Sequence, residues 1–142
     1  MRSKRVNIEQ VFDASYERVM RQELAGRAFI PAFYDRFIDS SPLVREKFRD
    51  TDMGRQIAML EKSLHYVAYL FSSPDIYSYV EEIALLHSAR GKDIPPQLYD
   101  LWLETLIDTV REFDPEFGID VELGWRLSLA RGIAYMKFMY DK

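Results

Sequence analysis

Apolar residues recur along this chain at helical spacing and almost nowhere with the alternation of a strand. Ile8, Val11, Phe12 and Val19 fall at roughly helical intervals after Asn7, which with Gln10 three residues on reads as a capping box. Phe29, Ile30, Phe33, Tyr34, Phe37 and Ile38 form one broad aromatic stripe. Pro31 within it is expected to mark the early turns of that helix or to kink it. Ser41-Pro42 has the form of an N-cap with proline in the first helical position, and it opens a short segment ending near Phe48. Polar Arg49-Asp50-Thr51-Asp52 breaks the pattern, and a long helix resumes to about Phe71. Ser73-Pro74-Asp75 is a second cap, proline and acid start, with Gly91 as the expected stop. Between them Ile76, Tyr79, Val80, Ile83 and His87 share one face. Asp93-Ile94-Pro95-Pro96 opens a helix running to about Phe113, and Asp114-Pro115-Glu116-Phe117-Gly118 is a turn cluster. Val121, Trp125, Ser128, Leu129, Ile133 and Met136 then pattern the last helix. The pattern predicts an all-α fold of about seven helices, with no strand, internal repeat or linker.

Composition narrows what such a bundle can do. A chain of 142 residues fits one domain spanning 1–142 and is long enough to bury a core. Its 48% hydrophobic and 14% aromatic content excludes a disordered chain. No apolar run approaches the ~20 residues of a membrane-spanning helix. The basic start Met1-Arg2-Ser3-Lys4-Arg5 leads into polar Asn7-Ile8-Glu9-Gln10 instead of the apolar core of a signal peptide. A cytoplasmic protein with no membrane partner is therefore expected. A net charge of -4 disfavours a nucleic-acid partner. The absence of cysteine removes disulfides, zinc–thiolate and iron–sulfur sites and thioether-linked haem. Any chemistry that needs imidazole must use His65 or His87.

His87 completes the apolar stripe of its own helix, so it points inward. Two roles suit an inward imidazole: a core histidine satisfied by a backbone carbonyl, or a ligand to haem iron, for which imidazole is the usual protein group. A ligating ring must present an unprotonated nitrogen, so its other N–H needs an acceptor. The carbonyl of Ile83 or Ala84, one turn earlier, stands where that acceptor belongs. Gln56 and Leu60 are four apart and share a helix face. His65 lies nine residues after Gln56, a rotation of about 180°, and is expected at the surface or in a helix–helix contact. Tyr34 shares its stripe with Ile30, Phe37 and Ile38, so its hydroxyl enters an apolar interior and needs a partner there.

Taken together, these residues resemble the globin family, specifically the bacterial single-domain globins and the haem domain of flavohaemoglobins. The resemblance runs from about residue 8 to 140. Phe33-Tyr34-Asp35-Arg36-Phe37 and Ser41-Pro42-Leu43-Val44-Arg45-Glu46-Lys47-Phe48 are similar to that branch's second and third helices. Ile83-Ala84-Leu85-Leu86-His87, followed by Gly91 and Pro95-Pro96-Gln97-Leu98-Tyr99, is similar to its proximal helix and the start of the next. Trp125 falls at a tryptophan often seen in the last helix. The resemblance implies a non-covalent haem b with His87 as the iron ligand and Tyr34 as the distal hydrogen-bond donor to bound oxygen. It further implies Phe48 packed on the porphyrin, Gln56 and Leu60 facing the gas ligand, and Tyr99 within the cofactor-binding set. Arg55, Arg90 and Lys92 are candidates for the propionates.

Two departures from flavohaemoglobins stand out. The loop between Phe48 and Gln56 is shorter. Tyr140 replaces the glutamate near the end of the last helix that polarises their proximal histidine. The resemblance implies a globin that reversibly binds O2, and also nitric oxide and CO, for storage, transport or scavenging, and that is not an enzyme on its own. Two alternatives stay open. One is a nitric oxide dioxygenase served by a separate reductase, since no flavin or NAD domain lies within these residues. The other is a haem gas sensor, or a haem-free globin-like signalling module, acting through a partner.

Overall fold

In the computed structural model, which describes residues 7–68 and 74–142, helices begin where short polar side chains or prolines deal with the first N–H groups. Asn7 Oδ1 accepts from the Gln10 N–H at 3.2 Å and caps α1 (Ile8–Met20). The start of α2 (Phe29–Asp39) has no side-chain cap, but Pro31 in its first turn has no N–H to satisfy. Ser41 Oγ accepts from the Leu43 N–H at 3.2 Å at the head of α3 (Pro42–Lys47). Asp52 Oδ1 accepts from the Arg55 N–H at 3.2 Å at the head of α4 (Met53–Ala68). Next come α5 (Pro74–His87), α6 (Gln97–Phe113) and α7 (Ile119–Phe138), and a turn of 3-10 helix at Met139–Asp141 closes the chain. The expected helix end near Phe71, the cap Ser73 and the basic start at Met1–Arg5 lie outside the described residues.

The structure departs from the sequence pattern in two places. The pattern held no strand, yet Glu23–Leu24 (β1) pairs antiparallel with Arg27–Ala28 (β2), Leu24 opposite Arg27. Ala25 and Gly26 between them both take positive φ, 51° and 78°, as a two-residue type I′ hairpin turn requires. Two-residue strands are too short to show alternation. The second departure is at Gly91, expected to stop the helix that in fact ends at His87. The chain there folds back over the helix end. A Cβ at residue 91 would sit 2.2 Å from the Leu86 carbonyl oxygen, so only glycine fits that approach. Lys92 N–H then donates to Leu86 O at 2.8 Å and Ile94 N–H to His87 O at 3.0 Å, satisfying the last carbonyls of α5.

α1 packs on α7, α2 on α6 and α4 on α7, with Phe12, Phe29, Phe33, Leu106, Ile107 and Trp125 fully buried between them. One end of this core also encloses a polar chain. Trp125 Nε1–H donates to Ser15 Oγ at 2.8 Å, and the Ser15 hydroxyl donates to Asp114 Oδ2 at 2.6 Å. Arg18 reaches the same carboxylate with Nε at 2.7 Å and Nη2 at 2.9 Å, and the Glu116 N–H adds a bond at 2.8 Å. Burial pushes the Asp114 carboxyl up, but Arg18, Ser15 and the Glu116 amide outweigh it and hold the group below its ordinary value. Among the described residues no buried side-chain nitrogen or oxygen lacks a partner, and no helix is long and apolar enough to cross a membrane.

Candidate functional site

At the other end the helices do not close on one another. α2, α4, α5, α6 and α7 enclose a cavity of about 380 Å³, within the range of small-molecule and cofactor pockets. Tyr34, Phe48, Gln56, Leu60, His87 and Tyr99 all line it. The residues singled out from the sequence are therefore brought to one place from α2, α4, α5, α6 and the corner after α3.

His87 is the last residue of α5, four after Ile83 and on the same face. Its Nδ1 lies 2.7 Å from the Ile83 carbonyl oxygen. A carbonyl can only accept, so the ring hydrogen sits on Nδ1 and Nε2 keeps its lone pair. Among the described residues nothing donates to Nε2. Burial lowers the pKa of His87 below its ordinary value. The Ile83 bond opposes that shift and the nearby Lys92 charge adds to it, so the ring is neutral near pH 7.

Tyr34 is buried in α2, and its oxygen accepts from Gln56 Nε2 on α4 at 3.1 Å. Among the described residues nothing accepts from the Tyr34 hydroxyl, so its hydrogen is available for donation to something else in the cavity. Burial pushes the phenol up to about 12, only partly offset by the Gln56 bond, so it stays protonated across the physiological range. Phe48 stands edge-on to Tyr34 at 5.7 Å between ring centroids and to Phe37 at 6.0 Å, fixing the angle of the phenol. The short loop from Phe48 suffices to start α4: Thr51 N–H donates to Phe48 O at 3.1 Å and Asp52 caps the helix. The Gln56–Tyr34 bond sets the register of α4, and Leu60, one turn on, is buried against the same space.

Several lining residues were not singled out as site residues from the sequence. Trp102, Ile94, Ile133 and Met136 complete the apolar walls, and Lys47 joins Lys92 at the cavity. Arg55 and Arg90, expected beside Lys92, do not line it. Lys47 lies 3.8 Å from Asp93, and its adjacency to Phe48 is the one feature of the sequence that could have found it. His65 lies away from the cavity. It stacks on Tyr16 with centroids 4.8 Å apart and approaches Asp13 at 3.4 Å, a contact between α4 and α1. Tyr140 does not polarise His87 either: its hydroxyl donates to Asp93, while its backbone oxygen accepts from the Ala89 N–H at 2.7 Å.

Among the described residues no three His, Cys, Asp or Glu side chains converge as they would around a bare metal ion. A lone imidazole in a roomy, mostly apolar cavity suits instead a metal that arrives with its other ligands in a macrocycle. No family model and no curated protein matches the chain. A solved structure does: a Pseudomonas aeruginosa protein described as structurally highly homologous to a human hemoglobin, with a TM-score of 0.86. The two share 34% identity over 96% of this chain and 100% of the other. With that identity over nearly all of both chains, and the fold they share, this chain belongs to the globin family, among its bacterial members.

Proposed function

We propose that this globin holds one non-covalent haem b in the cavity, with His87 Nε2 as the proximal ligand. It binds O2 reversibly, and nitric oxide and CO as well, for oxygen storage, transport or scavenging in the cytoplasm. One observation carries the reading. A single apolar cavity contains an imidazole nitrogen whose lone pair and a buried phenol whose hydrogen are both uncommitted among the described residues. A bound haem supplies an iron centre able to coordinate a small gas.

The protein's own part follows from the geometry. Ile83 O fixes the tautomer and rotation of His87, so the ring presents a lone pair without rearrangement. Tyr34 would donate a hydrogen bond to a ligand atom that carries partial negative charge, and Gln56 holds the phenol in place without adding a charge of its own. Phe48, Leu60 and Ile133 keep the surroundings apolar, which strengthens that hydrogen bond. Lys47 and Lys92, which line the cavity, are the cations that would hold the two haem propionates. The His87 proton goes to a neutral carbonyl and not to a carboxylate, so the ring is not made strongly electron-donating. That favours a carrier over an oxidising enzyme.

The visible spectrum of the purified, haem-reconstituted chain tests the reading. The expected result is a Soret band and a five-coordinate ferrous form, both lost or altered in His87→Ala. Failure to take up haem, or an unchanged spectrum in His87→Ala, overturns it. Nitric oxide consumption under air, with NADH and with or without a separate reductase, decides between carrier and enzyme. Fast sustained turnover with NADH alone would establish the dioxygenase reading instead.

A further inference from the structure

Where α5 packs on α7, two phenols and a carboxylate meet at the surface. Tyr77 and Glu81 are one turn apart on α5 and share a face, and Tyr135 comes to both of them from α7. The Tyr135 hydroxyl lies 3.5 Å from the Tyr77 hydroxyl and 3.4 Å from Glu81 Oε2. The two rings stand 5.7 Å apart between centroids, with 56° between their planes. Tyr77 is exposed and Tyr135 only partly buried, so a small solute reaches the pair.

A phenol that loses one electron and its hydroxyl proton becomes a phenoxyl radical, whose unpaired electron spreads to the ring carbons beside the oxygen. Two such radicals combine by joining those carbons, and the product is a twisted biaryl with neighbouring hydroxyls. Tyr77 and Tyr135 already have neighbouring hydroxyls and inclined rings. Side-chain motion on the picosecond-to-nanosecond scale supplies the remaining approach. Burial, and after it Tyr77 and Glu81, raise the pKa of Tyr135 above its ordinary value, so its proton has to leave with the electron. Glu81 stands where that proton can go. Ring proximity alone does not make such a site. Tyr66 and Tyr79 are closer, at 4.9 Å, but meet edge-on at 80°, and Lys62 Nζ lies 5.1 Å from the centre of the Tyr79 ring. A cation over a ring holds its π electrons and opposes their removal.

We propose that Tyr77 and Tyr135 are a site of oxidative modification, coupled into dityrosine by oxidising radicals of the kind that peroxides generate. Two such radicals each take one electron and are reduced. The two phenols release their hydroxyl protons as they lose the electrons, that of Tyr135 to Glu81. A carbon–carbon bond then forms between the rings, and the two ring hydrogens it displaces return as protons to the oxygens. The chain as a whole loses two hydrogens. Coupling within one chain outruns coupling between chains, because the fold holds the two radicals together at high effective concentration. The bond fastens α5, which ends at His87, to α7. The proposal is independent of the haem reading, because Tyr77, Glu81 and Tyr135 all lie outside the lining of the cavity.

Brief illumination of the full chain at low micromolar concentration, with tris(bipyridyl)ruthenium and persulfate as the one-electron oxidant, tests it. The expected product is a chain of monomer size, lighter by two hydrogens, that shows dityrosine fluorescence and yields the Tyr77 and Tyr135 peptides joined on digestion. Its urea midpoint should rise, because the new bond constrains the unfolded chain. Tyr77→Phe and Tyr135→Phe keep the rings and should each abolish this product. Glu81→Gln should give the same product severalfold more slowly, which a merely structural role for Glu81 would not do. Absence of dityrosine, coupling chiefly between chains, or a monomer-sized product that survives Tyr77→Phe overturns the proposal. An unchanged rate in Glu81→Gln overturns the role of Glu81 as proton acceptor.

Discussion

Two regions of this molecule hold polar groups against the core, and they treat them in opposite ways. Where α1, α6 and α7 meet, the indole of Trp125, the hydroxyl of Ser15, the guanidinium of Arg18 and the carboxylate of Asp114 satisfy one another within hydrogen-bond distance. Around the cavity, Tyr34, Gln56 and His87 use only part of their capacity on the protein. Among the described residues nothing accepts from the Tyr34 hydroxyl and nothing donates to Nε2 of His87. Paired polar groups stabilise the fold, whereas spare hydrogen-bonding capacity turned into a mostly apolar cavity is left to meet a ligand. The closed network serves stability, and the open one, on the proposed function, would serve binding.

The sharpest way to break this comparison is to remove the hub of the closed network. Asp114→Ala strands Ser15 and, through Ser15, loosens Trp125, while Arg18, a quarter exposed, keeps Glu116 at 3.4 Å. Each buried group left without its partner costs about 1–3 kcal/mol, so the urea midpoint should fall accordingly while the spectrum of any haem-loaded protein stays as it was. A loss below about 1 kcal/mol would show that the network is incidental. The same carboxylate carries a pH dependence. Its pKa is depressed in the fold, so its contribution is fully present above the unfolded value near 4 and is lost as pH falls below it. Asp114→Asn should make the stability curve shallower in that acid range.

Breaking the open network should barely touch stability and should act on ligands. Tyr34→Phe removes the donated proton and keeps the ring that packs against Phe48. A hydrogen bond to a partly charged group in a dry pocket is worth about 1.5–3 kcal/mol, or on the order of tenfold or more in O2 release. CO carries less charge when bound, so its release should change far less. Stopped-flow rates for the two gases check this. Equal acceleration of both would show that Tyr34 acts through bulk alone.

The two regions also differed in how far the sequence revealed them. Helix starts at Asn7 and Ser41, the stripe carrying Tyr34 and the shared face of Gln56 and Leu60 were all legible, because local spacing and side-chain chemistry determine them. The Trp125–Ser15–Asp114–Arg18 chain was not: its members stand up to 110 residues apart, and none of them alone suggests the others. The cavity's cationic side was misjudged for a related reason. Arg55 and Arg90 looked as suitable as Lys92, but which charges reach the cavity depends on how α3 and the loop after α5 approach it, a tertiary fact that selects Lys47 and Lys92. The β1–β2 hairpin escaped because its signal is a backbone conformation at Ala25 and Gly26, not an apolar pattern.

The smallest effect expected is at Tyr140, which sharpens where the open network ends. Its hydroxyl donates to Asp93, a residue held at positive φ (54°) in the loop after α5, and its backbone oxygen accepts from Ala89 in the same loop. These contacts tie the chain's last turn to the segment that carries Lys92, but they do not reach the His87 ring, whose proton belongs to Ile83. Tyr140→Phe removes only the bond to Asp93. The ring remains, and so does the backbone bond to Ala89. Amide exchange should therefore quicken modestly at Lys92, Asp93 and Ile94, with the ferrous iron–histidine vibration and the O2 release rate unchanged. Tyr140→Glu should likewise leave that vibration unchanged, because a carboxylate there would face Asp93 and not Nδ1. A shifted iron–histidine vibration in either variant would mean that the end of α7 does tune His87, and that the proximal network extends beyond the Ile83 carbonyl.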